Sequence, residues 1–305
     1  MSAVSHFSDR LAEAVRRRGN PVCVGLDPRA ESLPAGLLNN PSSAQSVADA
    51  YRAFCQGVID VVAPLVPVVK PQSACFEQCG PAGMSVLAEV IRYAQQRGLM
   101  VILDAKRGDI GSTAEAYAAG LLRGPWYADA LTVNPYLGED SLAPFVKTAT
   151  ERGAGVFVLV KTSNPGGSMF QDLVADGKPV YRHVAALVER LAAETLGECG
   201  YGAVGAVVGA TYPEQLAELR AAMPHAWLLI PGYGAQGGHA RDVVQALDAE
   251  GLGGLINSSR GIIFAHAKSP YRERVSPDRW QDAVAAATKD MIDELAAHRT
   301  RTRPS

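Results

Sequence analysis

The sequence predicts an α/β protein, and more specifically a single (β/α)8 TIM barrel, on three observations. Eight short, β-rich apolar runs recur along the 305 residues. Helical segments separate these runs, which is the pattern of a parallel sheet covered by helices. Eight such units follow one another without a linker, and this fits one closed barrel better than an open sheet.

The individual elements follow from local patterns. The predicted strands are apolar runs bounded by Gly, Pro or Asn, and they are residues 21–28, 66–72, 100–106, 130–136, 155–163, 202–211, 227–234 and 254–261. Between them, apolar residues recur at helical spacing. The clearest helices are residues 46–62, 84–98, 213–223 and 240–251, and a last helix is expected from about 276 to 297.

The two ends of the chain and one long loop complete the predicted organisation. Residues 1–20 predict an N-terminal helix that packs on the barrel, with Phe7, Leu11 and Val15 along one face. The barrel itself is expected to span residues 21–297, and residues 298–305 form a basic tail. The Pro/Gly/Ser-rich segment 163–179 is longer than a usual βα loop, so we expect an insertion at the functional face.

Composition argues against several classes of function. A net charge of −2 gives no electrostatic case for binding nucleic acid or an anionic membrane. No apolar run reaches the roughly 20 residues needed to cross a bilayer, and no signal peptide is expected. The six histidines have no metal-like spacing, and we expect the five cysteines to be reduced thiols. The predicted location is therefore the cytoplasm.

The stretch VILDAKRGDI, residues 101–110, places charges where a buried strand should be apolar. Asp104 and Lys106 are two residues apart, so they share the face of Ile102, which is predicted to be the inner one. Lys70 ends VPVVK in the same way. Opposite charges can be buried together. This arrangement is consistent either with an active site or with a structural salt-bridge network that closes the barrel mouth.

Polar residues follow the carboxyl ends of most predicted strands, the edge at which barrels of this type carry their active sites. These residues are Asp27, Lys70, Asp104, Lys106, Asn134, Ser163, Gln236 and Arg260.

The segment GYGAQG, residues 232–237, matches the dinucleotide-binding pattern G-x-G-x-x-G. That pattern usually opens the first βα unit, whereas this segment follows the seventh predicted strand. Loops after the seventh and eighth strands of a barrel commonly form a phosphate site. We therefore favour a phosphate site, to which Gln236 adds an amide and Arg260 a guanidinium group.

Several motifs together resemble one known family. DAKRGDI, followed by Thr113, is similar to the Asp-x-Lys-x-x-Asp-Ile signature of orotidine 5′-phosphate decarboxylases. Segments elsewhere resemble that family in the same order, most closely its longer, mycobacterial-like (type 2) branch: GLDP (25–28), VVKPQ (68–72), TSNPGGSMF (162–170), PGYGAQGG (231–238) and NSSRG (257–261). His239 departs from the acidic residue that the family pattern has after GAQGG.

The resemblance implies decarboxylation of orotidine 5′-monophosphate to uridine 5′-monophosphate in de novo pyrimidine biosynthesis, without cofactor or metal. Loss of CO₂ leaves negative charge on C6 of the pyrimidine, so the reaction needs a fixed cation there. By resemblance, Lys106 would stabilise and protonate that carbanion. Asp104 would lie beside the substrate carboxylate, and Lys70 would bridge the ribose and the charged residues.

The resemblance also assigns substrate contacts. Asp27 would bind the ribose, Ser163 the amide edge of the pyrimidine, and Gln236 with Arg260 the phosphate. Asp109, Ile110 and Thr113 would reach across a homodimer interface into the partner's site. The remaining residues assigned to the substrate pocket are Asn134, Pro231, Gly234, Gly237 and Ser259.

Two other functions stay open at this point. A related phosphosugar barrel, such as a keto-sugar phosphate decarboxylase or a hexulose-phosphate synthase, would use Mg²⁺ and need a further carboxylate near the second strand. This chain has Lys70 and Gln72 there. A catalytically inactive barrel that only binds a nucleotide should have lost Lys106 or one of its carboxylates, and this sequence keeps them.

Overall fold

Parallel strands close into a barrel in the computed structural model of the chain, which describes residues 5–38, 43–234 and 238–301. The strands are β1 (Val22–Leu26), β2 (Val68–Pro71), β3 (Met100–Arg107), β4 (Ala130–Val133), β5 (Gly155–Lys161), β6 (Val174–Ala175), β7 (Lys178–Pro179), β8 (Val204–Val208), β9 (Leu228–Pro231) and β10 (Gly254–Ser258). The barrel order is β1-β10-β9-β8-β5-β4-β3-β2, and β6 and β7 form a separate hairpin. The predicted TIM barrel is confirmed.

Helices cover the outside of the barrel and close its lower end. The α-helices are α1 (Phe7–Arg18), α2 (Ala44–Val62), α3 (Ser73–Glu77), α4 (Gly80–Gln96), α5 (Gly111–Ala118), α6 (Glu139–Arg152), α7 (Ser168–Gln171), α8 (Val180–Ala193), α9 (Pro213–Ala222), α10 (Ala240–Val243), α11 (Arg260–Ile263), α12 (Tyr271–Arg274) and α13 (Trp280–Arg301). Short 3₁₀ segments are Ala30–Ser32, Pro165–Gly167, Val244–Ala246, Ala265–Ala267 and Pro277–Arg279, and a π-helical turn spans Ala119–Arg123.

Side-chain alternation along the strands separates two apolar layers. Val101 and Leu103 of β3 belong to the outer layer, which packs against the helices. Met100 and Ile102 belong to an inner layer that fills the lower part of the barrel. Asp104 and Lys106 continue the inner series, as the two-residue period predicts.

Helix α1 closes the amino-terminal end of the barrel. Its Phe7, Leu11 and Val15 belong to the inner apolar layer. Phe7 packs edge-on against Phe157, with ring centroids 6.1 Å apart. Gly155 makes this contact possible, because a Cβ atom there would lie 2.4 Å from the Phe7 ring.

Two segments differ from the predicted elements. The helix predicted for residues 240–251 ends early, since only Ala240–Val243 is α-helical and Val244–Ala246 is a 3₁₀ turn. The carboxylate of Asp248 accepts hydrogen bonds from the backbone N–H of Glu250 and of Leu252, which favours a turn over further helix. At the chain end, α13 extends to Arg301, so the first residues of the predicted tail are helical, and residues 302–305 lie outside the described part.

Within the described ranges, no helix has both the length and the apolar character needed to cross a membrane.

Candidate active site

A cavity of about 560 Å³ opens at the carboxyl ends of the barrel strands. It brings together many of the residues that the sequence predicts for the site. Those in its wall are Asp27, Lys70, Asp104, Lys106, Ser163, Pro231, Ser259 and Arg260. Leu159, Val207 and Leu229, which also belong to the inner apolar layer, form its floor.

Asp104 lies at the centre of the charged residues and binds both lysines. Its Oδ2 atom is 2.6 Å from Lys70 Nζ, and its Oδ1 atom is 2.6 Å from Lys106 Nζ. Gln72 Nε2 donates a further hydrogen bond of 3.1 Å to Oδ2. The carboxylate is thus held in one orientation between two ammonium groups.

The members of this charged group differ in exposure. The side chains of Asp104 and Lys70 are 9% and 5% exposed, whereas that of Lys106 is 45% exposed. Burial alone would raise the pKa of Asp104, but the two ammonium groups overcome this effect and hold that pKa well below its usual range. Burial would likewise lower the pKa of Lys70, but Asp104 and Asp27 raise it above its usual value. Lys70 is therefore a buried structural cation, and Lys106 presents its ammonium group to the cavity.

Thr132 on the neighbouring strand fixes the end of β3. Its Oγ1 atom accepts hydrogen bonds from the backbone N–H of Ala105 (3.0 Å) and of Lys106 (2.9 Å) and donates one of 3.0 Å to Asp104 Oδ1. The pairing between β3 and β4 changes register along this stretch. Irregularities of this kind redirect side chains beside active sites.

Lys106 itself has a left-handed backbone, with φ of +47°. Non-glycine residues rarely adopt this conformation, and it costs on the order of 1 kcal/mol or more. The hydrogen bonds to Thr132 and Asp104 hold it in place. The sequence gives no sign of this conformation.

Asp27 and Ser259 provide unused polar atoms in the part of the wall that follows β1 and β10. Asp27 Oδ1 and Ser259 Oγ are buried and, within the described part of the chain, have no hydrogen-bond partner. Buried polar atoms normally have partners, so this pair suits the hydroxyl groups of a ligand. Strands β1 and β10 approach closely here because residue 25 is glycine, and a Cβ atom on it would lie 2.7 Å from Ser259 Cβ.

The glycine-rich loop after β9 has a closed base. The backbone N–H of Gly234 donates to Gly238 O (3.0 Å), and that of Gly238 donates to Gly232 O (3.2 Å). Gly232 and Arg260 line the cavity side by side with Tyr233, while Gly234 lies in the loop base outside the cavity wall. Gln236, predicted to bind phosphate, and Gly237, predicted to belong to the substrate pocket, lie outside the described residues.

Four other predicted residues do not line the cavity of their own chain. Asp109, Ile110 and Thr113 lie after β3, where Asp109 Oδ1 accepts a hydrogen bond from the backbone N–H of Ile110. Asn134 is exposed, because its side-chain oxygen accepts a hydrogen bond from the backbone N–H of Tyr136 and so stabilises the turn after β4. The structure therefore does not place Asn134 in the pocket wall, where the sequence placed it.

Sequence reasoning assigned no role to several residues of the wall. Thr132 is the lone polar residue of its strand, a signal that could have been used. In β10, Asn257 and Ser258 are polar residues at the end of an apolar strand, and both line the cavity. Phe170 and Gln171 reach the cavity from the loop after β5, whose path no sequence pattern predicts.

The arrangement suits a reaction that develops negative charge beside Lys106. A positioned ammonium group in a confined cavity can stabilise such charge and then donate a proton. Among the described residues, potential metal-ligating side chains do not gather in groups of three or more.

Comparisons with known proteins all indicate the same family. The family pattern described as orotidine 5′-phosphate decarboxylase / HUMPS family matches residues 20–272. The orotidine 5′-phosphate decarboxylase of Rhodopirellula baltica is 57% identical over 297 residues, which is 95% of this chain and 98% of that one. The orotidine 5′-phosphate decarboxylase of Deinococcus radiodurans is 46% identical over 85% of this chain and 89% of its own length. The solved OMP decarboxylase of Leishmania donovani is 35% identical, with a TM-score of 0.75, and the match covers 97% of this chain and 99% of that one.

Proposed function

The chain belongs to the orotidine 5′-phosphate decarboxylase / HUMPS family, and from this membership and its site we infer that it converts orotidine 5′-monophosphate to uridine 5′-monophosphate. It is a carboxy-lyase of pyrimidine biosynthesis. The observation that carries the mechanism is the pair of lysines on one buried carboxylate, both in the cavity wall, of which Lys106 is the accessible one at 45% exposure.

Lys106 acts on the carbon that loses CO₂. When the bond between C6 and the carboxylate breaks, its electron pair stays on C6 and CO₂ leaves. The ammonium group of Lys106 stabilises this charge, and its proton then forms the new C6–H bond. The neutral amine regains a proton from solvent after the product leaves. Asp104 keeps the ammonium group in place throughout, through the 2.6 Å contact.

The other residues of the cavity suit the sugar, the phosphate and the pyrimidine of the nucleotide. The unused oxygens of Asp27 and Ser259 accept and donate hydrogen bonds to sugar hydroxyl groups, with Lys70 beside them. Arg260 binds the phosphate, for which a planar guanidinium group is well shaped. Ser163 lies in the cavity wall, and we assign it to the pyrimidine. In this assignment, the catalytic steps use no cofactor.

A homodimer completes the site in this proposal. Asp109, Ile110 and Thr113 lie outside the cavity of their own chain, at a surface where a second copy can bring them to another site. Exposed apolar side chains lie on the segments that follow β3 and β4, and these are Ile110, Tyr117 of α5, Tyr136 and Leu137. Such a patch is typical of a protein–protein interface.

The remaining proposals concern location and partners. All five cysteines are free thiols, and three of them are buried, which is consistent with a reducing cytoplasm. With a net charge of −2, we propose that small nucleotides, rather than nucleic acid or membrane, are the ligands.

The test is the ultraviolet loss of the orotate chromophore with purified protein, run beside Lys106→Ala. We expect the parent to be active and the variant to bind uridine 5′-monophosphate while its turnover falls by at least about 10³-fold. A parallel assay after EDTA treatment separates this reaction from the Mg²⁺-dependent one. Equal rates in parent and variant, or an activity that EDTA abolishes, would contradict the proposal.

A further inference from the structure

Lys161 is a fully buried lysine that does not line the catalytic cavity. It ends β5 and is 1% exposed. The pairing between β5 and β8 gains one residue on β5 between Leu159 and Lys161. An extra residue of this kind reverses the face on which the following side chain lies. Lys161 therefore lies outside the barrel, between the rings of Tyr181 and Tyr212, whose centroids are 5.3 and 5.0 Å from its Nζ atom.

Asp172 binds the ammonium group of Lys161. It is the one carboxylate in ion-pair contact with this ammonium group among the residues that the structure describes. An ammonium group buried to this degree is costly without its counter-ion. The ion pair therefore stabilises the conformation of the 163–179 loop in which Asp172 lies next to β5.

Gln171, the neighbour of Asp172, is tied to the same strand end. Its Oε1 atom accepts a hydrogen bond of 3.0 Å from the backbone N–H of Thr162, and its Nε2 atom donates one of 2.8 Å to Thr162 Oγ1. Two successive residues at the end of α7 are thus fixed to β5. The other side of this short helix lines the cavity through Phe170 and Gln171.

Apolar burial does not account for the position of this loop. Met169 and Val174 are 69% and 71% exposed, and Phe170 and Leu173 are exposed as well. A segment with its large apolar side chains in solvent gains little from the hydrophobic effect. The polar contacts of Gln171 and Asp172, together with the contact between His183 Nε2 and Ala175 O, hold it.

We propose that Lys161 is a positioning residue, which holds Asp172 and thereby sets Phe170 and Gln171 as the wall against which the nucleobase packs. The inference rests on the proposed function in one respect, namely that the ligand carries a base at this end of the cavity. In the proposed function, the sugar and phosphate lie against Asp27, Ser259 and Arg260, which follow strands β1 and β10. Loss of the contact should thus weaken binding of the base alone.

The test compares two ligands that share the sugar phosphate, uridine 5′-monophosphate and ribose 5-phosphate. In Asp172→Asn we expect the Kd for uridine 5′-monophosphate to rise by about tenfold or more, with less than a twofold change for ribose 5-phosphate. The KM for orotidine 5′-monophosphate should rise in parallel, with a smaller change in kcat. Glu250→Gln, which removes a carboxylate from the exposed pair with Arg16, is the matched control and should change neither Kd.

A double variant separates positioning from stability. Lys161→Met with Asp172→Asn removes both charges, so no unpaired ammonium group stays buried, and the stability lost in Asp172→Asn should largely return. The weaker binding of uridine 5′-monophosphate should persist. Recovery of both properties, an unchanged Kd in Asp172→Asn, or equal losses for the two ligands would overturn the proposal. Binding is measured directly, so a parent protein that fails to decarboxylate would contradict the proposed function without affecting this comparison.

Discussion

Lys70 Nζ lies 2.6 Å from Asp104 Oδ2, and both side chains are almost excluded from solvent. Lys106 is a second cation on this carboxylate, and Asp27 adds a further negative charge near Lys70. Asp104 and Lys70 each shift the pKa of the other so that both stay charged, Asp104 below its usual range and Lys70 above it. The pair is therefore part of the fold as well as of the site, and its loss should have consequences for both.

Replacing the carboxylate should destabilise the protein. In Asp104→Ala, Lys70 becomes a buried charge without its partner, and we expect the free energy of unfolding to fall by about 3–5 kcal/mol. Urea denaturation followed by circular dichroism measures this change. Asp49→Ala removes an exposed pair with Arg52 and should cost less than about 1 kcal/mol. If Asp104→Ala also lost less than about 1 kcal/mol, the role assigned to the pair would be contradicted.

The same carboxylate should make stability depend on pH in the acid range. The pKa of Asp104 is lower in the folded protein, so its contribution is present above the unfolded carboxyl pKa of about 4 and is lost as pH falls toward the folded value. The difference in unfolding free energy between the parent and Asp104→Asn should be constant between about pH 7 and 5 and should shrink below about pH 4. Urea titrations at each pH measure it. If the difference in unfolding free energy grew as the pH fell, the predicted direction of the pH dependence would be wrong.

Arg260 should act on the phosphate alone. Because it is exposed at the mouth of the cavity, Arg260→Ala should leave stability nearly unchanged while the Kd for uridine 5′-monophosphate rises about 10- to 100-fold. Calorimetric titration with uridine, which lacks the phosphate, should give the same weak affinity in both proteins. Arg16→Ala, at the other end of the barrel, is the control. A parallel loss of uridine affinity would argue for a general disturbance of the site.

Mixed dimers should test whether Asp109 serves the partner's site. Lys106→Ala and Asp109→Ala should each be nearly inactive alone. When they are mixed and allowed to exchange subunits, each hybrid has one site with both residues intact, so activity should recover to roughly a quarter of the parent value. The orotate assay measures it. Absence of recovery, with exchange shown by native mass spectrometry, would mean that Asp109 does not act across an interface.

The sequence predicted those features that follow from a regular period. The eight barrel strands and the inner position of Asp104 follow from alternation along a strand, and the strand-end position of the site follows from the barrel. Predictions from a regular period did not extend to positions where the backbone is irregular. The orientation of Lys161 could not be decided, because one extra residue in β5 reverses it. The left-handed backbone of Lys106 depends on hydrogen bonds that the backbone N–H groups of Ala105 and Lys106 donate to Thr132 in another strand.

Local hydrogen bonds account for the other differences. The helix predicted after the glycine-rich loop ends because the Asp248 carboxylate binds nearby backbone N–H groups. Asn134 faces away from the cavity because its amide oxygen binds the backbone of Tyr136. In both cases a hydrogen bond from the backbone to a nearby side chain replaces the predicted arrangement. Residue type alone does not tell whether such a hydrogen bond forms.

The apolar floor of the cavity, which Phe7 and its neighbours on α1 cover from below, matters for whether the decarboxylation can reverse. In the proposed mechanism, carbon dioxide is released above this packed apolar layer, next to the carbanion that expelled it. Recombination then competes with capture of a proton. In that mechanism, delivery of the proton from Lys106, which Asp104 holds in place, commits the reaction to its products.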